Sequence, residues 1–463
     1  MARPGGGTVG SGPRRFGGFA GVQARRPGLV VLLGFAAAIL VLTLLLLLPA
    51  SREPGQPASI VQALFTATSA ICVTGLAVVD TPSHWSGLGE VLIIAGVQFG
   101  GLGFMTLASL LGLAAARRLG LRTRILAAAE TRALGLGDVR RVVRGVAVTS
   151  FTVEAILAVV LWLRLWLGYD RSPGRAAYEG IFHSVMAFNN AGFALYRDNL
   201  VGYATDPWIC LPVAVAVILG ALGFPVLFEL RRELTSPRTW TLHTKITVSA
   251  YALLLVAGTV AFLAFEWHNA GTLGPYGWAD KLLVAFFMGG PQARSAGFNS
   301  VDVGAMNETT WLVTDCLMFI GGGSAGMGGG IKVTTFMLLF FAIVAEVRGD
   351  PAVSAFGREV SSAVIRQALS VALLGVALVV TGTLAVLGLS GLNLDRVLFE
   401  VVSAFATNGL STGITGTLPA SAQYVLVGLM FAGRLGPITV ASALALRESR
   451  KLFRLPEERP IVG

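Results

Sequence analysis

The chain has 463 residues, of which 54% are hydrophobic and only 13% charged, and its formal net charge is +10. A soluble chain of this length would divide into about three domains with charged surfaces, whereas this composition suits a chain solvated by lipid. The positive charge is not a nucleic-acid footprint, because the basic residues fall in alternate loops between long apolar segments.

In chain order, residues 1–27 are rich in Gly and Arg and read as a disordered cytoplasmic tail that can touch anionic headgroups. The apolar run 29–48 follows; it is too long for a signal peptide and carries no A-x-A cleavage site. About twenty apolar residues match a hydrocarbon core of roughly 30 Å, and without water such a span must be helical. A turn at 49–57 leads to a short helix at 58–71, an extended stretch at 72–80 and a second span at 85–116.

The same order returns three times. The repeats are predicted at 28–116, 145–233, 241–348 and 361–448, a period of about 110 residues that marks a repeat architecture. In the third, the second span is broken. A basic cytoplasmic loop occupies 117–144, and a short cytoplasmic tail occupies 449–463. The fold class expected is all-α integral membrane protein, with eight transmembrane helices and four re-entrant pore loops about a pseudo-fourfold axis. By the positive-inside rule the Arg-rich loops and both termini are cytoplasmic, and the four short helices enter from outside.

Each short helix runs into a glycine followed by a large apolar residue: Gly75-Leu76, Gly192-Phe193, Gly297-Phe298 and Gly409-Leu410. Non-helical backbone at membrane depth is tolerated only where it is buried in protein or lines a water-filled cavity. Rings of backbone carbonyls can replace a cation's hydration shell without a fixed negative charge, and helix C-termini facing an axis favour a cation there. The predicted ion-binding backbone is Val73, Thr74 and Gly75; Asn190, Ala191 and Gly192; Ser295, Ala296 and Gly297; and Thr407, Asn408 and Gly409.

TATSAICVTGL at 66–76, FNNAGF at 188–193, RSAGFNSVD at 294–302, GGGIKVTT at 328–335 and GRLGPIT at 433–439 carry a resemblance to the Trk/Ktr/HKT potassium transporter superfamily. The resemblance covers about residues 29–450, and its eight-span layout is most similar to the Ktr membrane subunits. It implies potassium uptake across the inner cell membrane through a gated selectivity-filter pore, with K+ as the transported ion at the filter carbonyls. It also implies a homodimer with one pore per protomer, and a cytoplasmic ring of KtrA/TrkA-like nucleotide-binding subunits beneath it. No covalently bound cofactor is expected, and nucleotide acts only through the partner. Only the first copy keeps a channel-like signature, which predicts an asymmetric, looser filter.

Residues 321–330, GGGSAGMGGG, contain seven glycines and interrupt the third repeat. They fit a dinucleotide fingerprint only formally, since no strand precedes them and no GK[ST] follows. Close helix packing is one reading. The other is a flexible loop below the filter, because each helical glycine costs about 1 kcal/mol, and the resemblance implies that this loop is a gate. The gate residues expected are Gly322, Gly323, Gly326, Gly328, Gly329, Lys332 and Arg434, the last read as an electrostatic barrier in the final span or, alternatively, as a structural pair with a carbonyl. Arg294 is expected to brace the third filter, and Glu154 reads equally as a cation site or as a buried partner. His183 reads as a satisfied core histidine.

No Ser/His/Asp, paired-carboxylate or Cys/His cluster points to an enzyme. Cys72, Cys210 and Cys316 lack disulfide or metal spacing. Two other classes compete with a pore: a sodium- or cation-coupled secondary transporter with a midplane substrate site, which predicts inverted repeats and two discontinuous helices, and a non-conducting scaffold.

Overall fold

The computed structural model describes residues 27–57, 59–118 and 136–436. The expectations for 1–26, for 119–135 and for 437–463 lie outside the described residues. Four successive units follow one plan. The first has helices α1 (Pro27–Leu46), α2 (Ile60–Ile71) and α3 (Gly87–Arg118). The second has α4 (Leu136–Gly168), α5 (Pro173–Asn189), α6 (Pro207–Leu222) and α7 (Phe224–Glu233). In the third are α8 (Leu242–Glu266), α9 (Trp278–Phe287), α10 (Glu308–Phe319) and α11 (Val333–Arg348). In the fourth, a hairpin of β1 (Ser354–Ala355) and β2 (Arg358–Glu359) precedes α12 (Ser362–Ser390), α13 (Leu394–Phe405) and α14 (Ala420–Leu435).

Local sequence sets these boundaries. Ser59, Ser172, Asp206 and Thr241 each stand just before a helix and accept a backbone N–H of its first turn, satisfying a donor that the helix cannot. Pro173 and Pro207 follow two of these caps, where the missing N–H costs nothing. Gly349 and Gly391 end α11 and α12 in the left-handed conformation.

Two elements depart from the sequence reading. The third short helix, expected to give way to extended chain at 292, continues beyond α9 as a π-helix over Met288–Ala296. Pro291 has no N–H for the α ladder, and its ring would crowd the carbonyl of Phe287, where the α-helix stops. The wider turn accommodates it. The second departure is the span expected at 208–229, which bends by 104° between α6 and α7 at Gly223, whose φ is +90°.

Among the described residues, α4 from Val142, α8 and α12 are long and apolar enough to cross a membrane, and the bent α6–α7 pair makes a fourth candidate. Their outward faces are apolar: Leu167 is 70% exposed, Leu253 63% and Leu373 61%. A surface of this kind is matched to hydrocarbon rather than to water. The packed core lies inside the ring of helices and is dominated by the four short helices. Phe65, Phe182, Phe287 and Phe399, one from each, are all fully buried. Each stands ten residues ahead of its unit's glycine, a fourfold spacing that the sequence reading missed although it is legible there.

Candidate functional site

The four glycines close a ring. A side chain on Gly75 would collide with the backbone of Gly192, one on Gly192 with the carbonyls of Ala296 and Gly297, one on Gly297 with Asn408 and Gly409, and one on Gly409 with Thr74 and Gly75. Each extended segment therefore touches the next in chain order, and the fourth touches the first. Only glycine permits this approach, and at Gly75, Gly297 and Gly409 the backbone is also left-handed, with φ of +90°, +70° and +103°. The carbonyls of Thr74, Ala296, Gly297 and Asn408 stand at the seams.

Three copies are hung alike. Val73, Asn190 and Thr407, each two residues before its glycine, take φ values of 56°, 61° and 45°, and their N–H groups bond to Ala70, Ala187 and Ala404. The next amides, of Thr74, Ala191 and Asn408, bond to the carbonyls of Ser69, Met186 and Ser403. The hydroxyls of Ser69 and Ser403 then accept the N–H of Gly75 and Gly409 at 3.0 and 3.1 Å. Non-glycine residues held left-handed in three equivalent places mark strain that the surrounding packing must impose. Behind each, a glycine of the following span lies against the carbonyl that ends the short helix: Gly100 on Ile71, Gly220 on Phe188 and Gly433 on Phe405.

The third copy is held differently. Gln292 Oε1 accepts the N–H of Phe298 at 3.2 Å, and the carbonyl of Gln292 accepts Asn408 Nδ2 at 2.9 Å. Ser295 Oγ lies 2.8 Å from the Asn190 side-chain amide. The side chains of Asn190 and Asn408 thus tie neighbouring copies together, a role that the sequence reading gave only to backbone. His183 is a satisfied core residue: Nδ1 donates to the Glu179 carbonyl at 2.8 Å and Nε2 accepts the Leu195 N–H at 3.3 Å.

In the third unit the glycine run stands between α10 and α11. It meets every unit. Met327 N donates to Gly220 O at 2.9 Å and Gly323 N to Ala221 O at 2.8 Å, both in the second unit. Gly328 lies on Ser295 of the third, Gly329 on Ala406 and Thr407 of the fourth, and the Met327 sulfur near Gly101 of the first. The segment therefore touches all four units.

Three cations hold this loop. Arg434, buried at 2% exposure near the end of α14, donates to the Met327 carbonyl and, at 3.5 Å, to the Gly100 carbonyl. Lys332 Nζ donates to the Gly328 carbonyl. Arg294 is fully buried, stacks 4.0 Å from the Tyr251 ring centroid, and donates to Tyr251 O at 3.1 Å and Gly321 O at 2.8 Å. It thus ties the backbone that leads into Ser295 to α8 and to the root of the loop. The bend at Gly223 fits against Ser324, Ala325 and Gly326, and Phe224 N reaches Ala325 O at 3.4 Å. Gly322, Gly323, Gly326, Gly328 and Gly329 all lie in this close-packed passage, where a side chain would meet backbone or a neighbouring side chain.

Glu154 is buried and accepts Gln98 Nε2 at 3.2 Å and Asn189 Nδ2 at 3.1 Å. The three cysteines are free thiols.

The family model for TrkH, described as a cation transport protein, matches residues 35–455. The chain is 36% identical over 437 residues to the Ktr system potassium uptake protein B of Bacillus subtilis, covering 94% of this chain and 97% of that protein. It is 38% identical over 435 residues to the protein of the same name from Vibrio alginolyticus, covering 94% of each. Among solved structures, the potassium transporter TrkH of Vibrio parahaemolyticus aligns with a TM-score of 0.72 over 90% of this chain and 84% of that one, at 19% identity, a likeness of fold.

Proposed function

The chain belongs to the TrkH family of cation transport proteins, and from that premise we propose that it is a gated potassium uptake pore of the inner membrane. The observation that carries this reading is the closed contact circuit Gly75, Gly192, Gly297, Gly409 and back to Gly75. Four inward-leaning backbone segments supply neutral carbonyl oxygens in place of a hydration shell. The ligands are the backbone of Val73 to Gly75 and its three counterparts, with K+ as cargo.

Eight spans carry the ring, each short helix entering from outside, with the basic loops and both termini in the cytoplasm. The loop around Gly322, Gly323, Gly326, Gly328 and Gly329, tied by Lys332 and Arg434, is the gate. An intramembrane cation costs at least about 2.5 kcal/mol, so Arg434 adds an electrostatic barrier to the steric one. The relatives are named as parts of Ktr potassium uptake systems, and the proposal includes a homodimer seated on a cytoplasmic ring of nucleotide-binding subunits.

The break at Gly223, added to the one in the third unit, gives two discontinuous helices, a mark of coupled secondary transporters. Here the two breaks pack on each other and form one device, and the four units repeat one order of elements rather than an inverted one. Flux of potassium, rubidium and sodium into liposomes holding the purified protein tests the reading. Potassium flux down its gradient without a coupled ion is expected; strict dependence on a second ion, or no flux from folded protein, would overturn it.

A further inference from the structure

Behind the second ring segment lies a polar cluster within the apolar helices. Glu154 of α4 is 5% exposed and Asn189, the last residue of α5, is fully buried. Gln98 Nε2 donates to both carboxylate oxygens of Glu154, at 3.2 and 3.3 Å. Asn189 Nδ2 donates to Gln98 Oε1 at 2.9 Å, to Glu154 Oε1 at 3.1 Å and to the Val185 carbonyl at 2.9 Å. Its amide nitrogen is fully committed, and this fixes the direction of the other end.

That other end is Asn189 Oδ1, a fully enclosed acceptor that receives no hydrogen bond. It is aimed at Gly101 of α3, where a methyl group would collide with it and would also meet the Met327 sulfur at 3.2 Å. Asn189 immediately precedes the ring residue Asn190. The acceptor therefore lies against α3, one residue before the ring, with the Met327 sulfur close by. A buried carbonyl without a donor costs about 1–3 kcal/mol, and a buried carboxylate costs more. The carboxylate is bonded to the amide nitrogens of Gln98 and Asn189, and the Asn189 oxygen alone is left without a donor.

We propose that Asn189 Oδ1 is a ligand for a partly hydrated monovalent cation on the loop side of the ring, with Glu154 and Gln98 as positioning residues and Met327 as its cover. The inference rests on the reading of the chain as a cation pore. Glu154 supplies negative field without touching the ion, and Gln98 transmits the geometry. Met327 is held on its main-chain side by Arg434. Withdrawal of the loop therefore removes the anchoring contact of a guanidinium and uncovers a carbonyl backed by a carboxylate, and the local field changes from unfavourable to favourable for a cation.

The test uses full-length protein in liposomes and rubidium uptake as a function of rubidium concentration. Glu154→Gln keeps shape and acceptor but loses the charge, and is expected to raise the half-saturating concentration about tenfold, the equivalent of one charge-assisted bond. The maximal rate stays unchanged. Asn189→Leu shifts it similarly, the double variant goes no further because the residues act as a unit, and Asn189→Asp restores it in the Glu154→Gln background. Met327→Ala, which uncovers the site, increases uptake at low rubidium. A merely structural cluster predicts lower melting temperatures with half-saturation unchanged, or additive losses, and either result overturns the proposal. Wild-type protein that is folded but carries no rubidium would instead sink the pore reading beneath it.

Discussion

Units one, two and four differ from unit three in how the backbone reaches the ring. In the first three, a left-handed residue hangs from an alanine carbonyl, and a glycine of the following span closes against the end of the short helix. In unit three the helix is wound to a π-helix, Gln292 braces the turn with its side chain, and the following span is opened into the glycine loop. In their approach to the ring, units one, two and four share a common frame, and unit three departs from it. The helix breaks themselves fall in units two and three, where the bend at Gly223 packs on the glycine loop. π-Helical turns recur at functional sites.

The largest effect expected in testing this contrast comes from the frame. Gly433→Val places a side chain on the Phe405 carbonyl, and should cost about 3 kcal/mol or prevent folding. Gly428→Val, where no atom lies within 4 Å of an added Cβ, should leave thermal unfolding in detergent nearly unchanged. Equal stability of the two variants would end the claim that close backbone contact defines the frame.

Removing residues 322–329 should leave the ring in place and raise ion flux about tenfold, which corresponds to a barrier of about 1.4 kcal/mol. Reduced flux would mean that the loop belongs to the frame and packs rather than gates. Gly75→Ser forces a side chain against Gly192 at a position with φ of +90°, so potassium over sodium should fall about fivefold, since carbonyl spacing then shifts. Unchanged flux ratios would remove Gly75 from selectivity. The smallest effect concerns the caps of units one and four: Ser69→Ala and Ser403→Ala should each cost about 0.5 to 1 kcal/mol by freeing a glycine N–H, visible as a lower melting temperature.

Much of this was legible in the chain itself. Hydropathy and the four glycine motifs gave the repeat, the short helices and the ring residues, because periodic apolar spans and obligatory glycines are written locally. The four phenylalanines ten residues before each glycine were equally readable. Pro291 announced an irregular third helix, though not that it would continue in π form to Ala296.

The sequence by itself therefore determined the solvent, the fourfold plan and the positions where only glycine fits, since each depends on residue type and spacing. Tertiary structure alone decided which segment touches which. At the bend, Gly223 packs against residues 324–326 of the loop. Arg434 and Met327 are 107 positions apart in the chain, as are Asn408 and Gln292 at 116. A buried Glu154 becomes meaningful only once Gln98, Asn189 and Met327 surround it. Local propensity cannot encode such contacts, because they form only when the four units pack against one another.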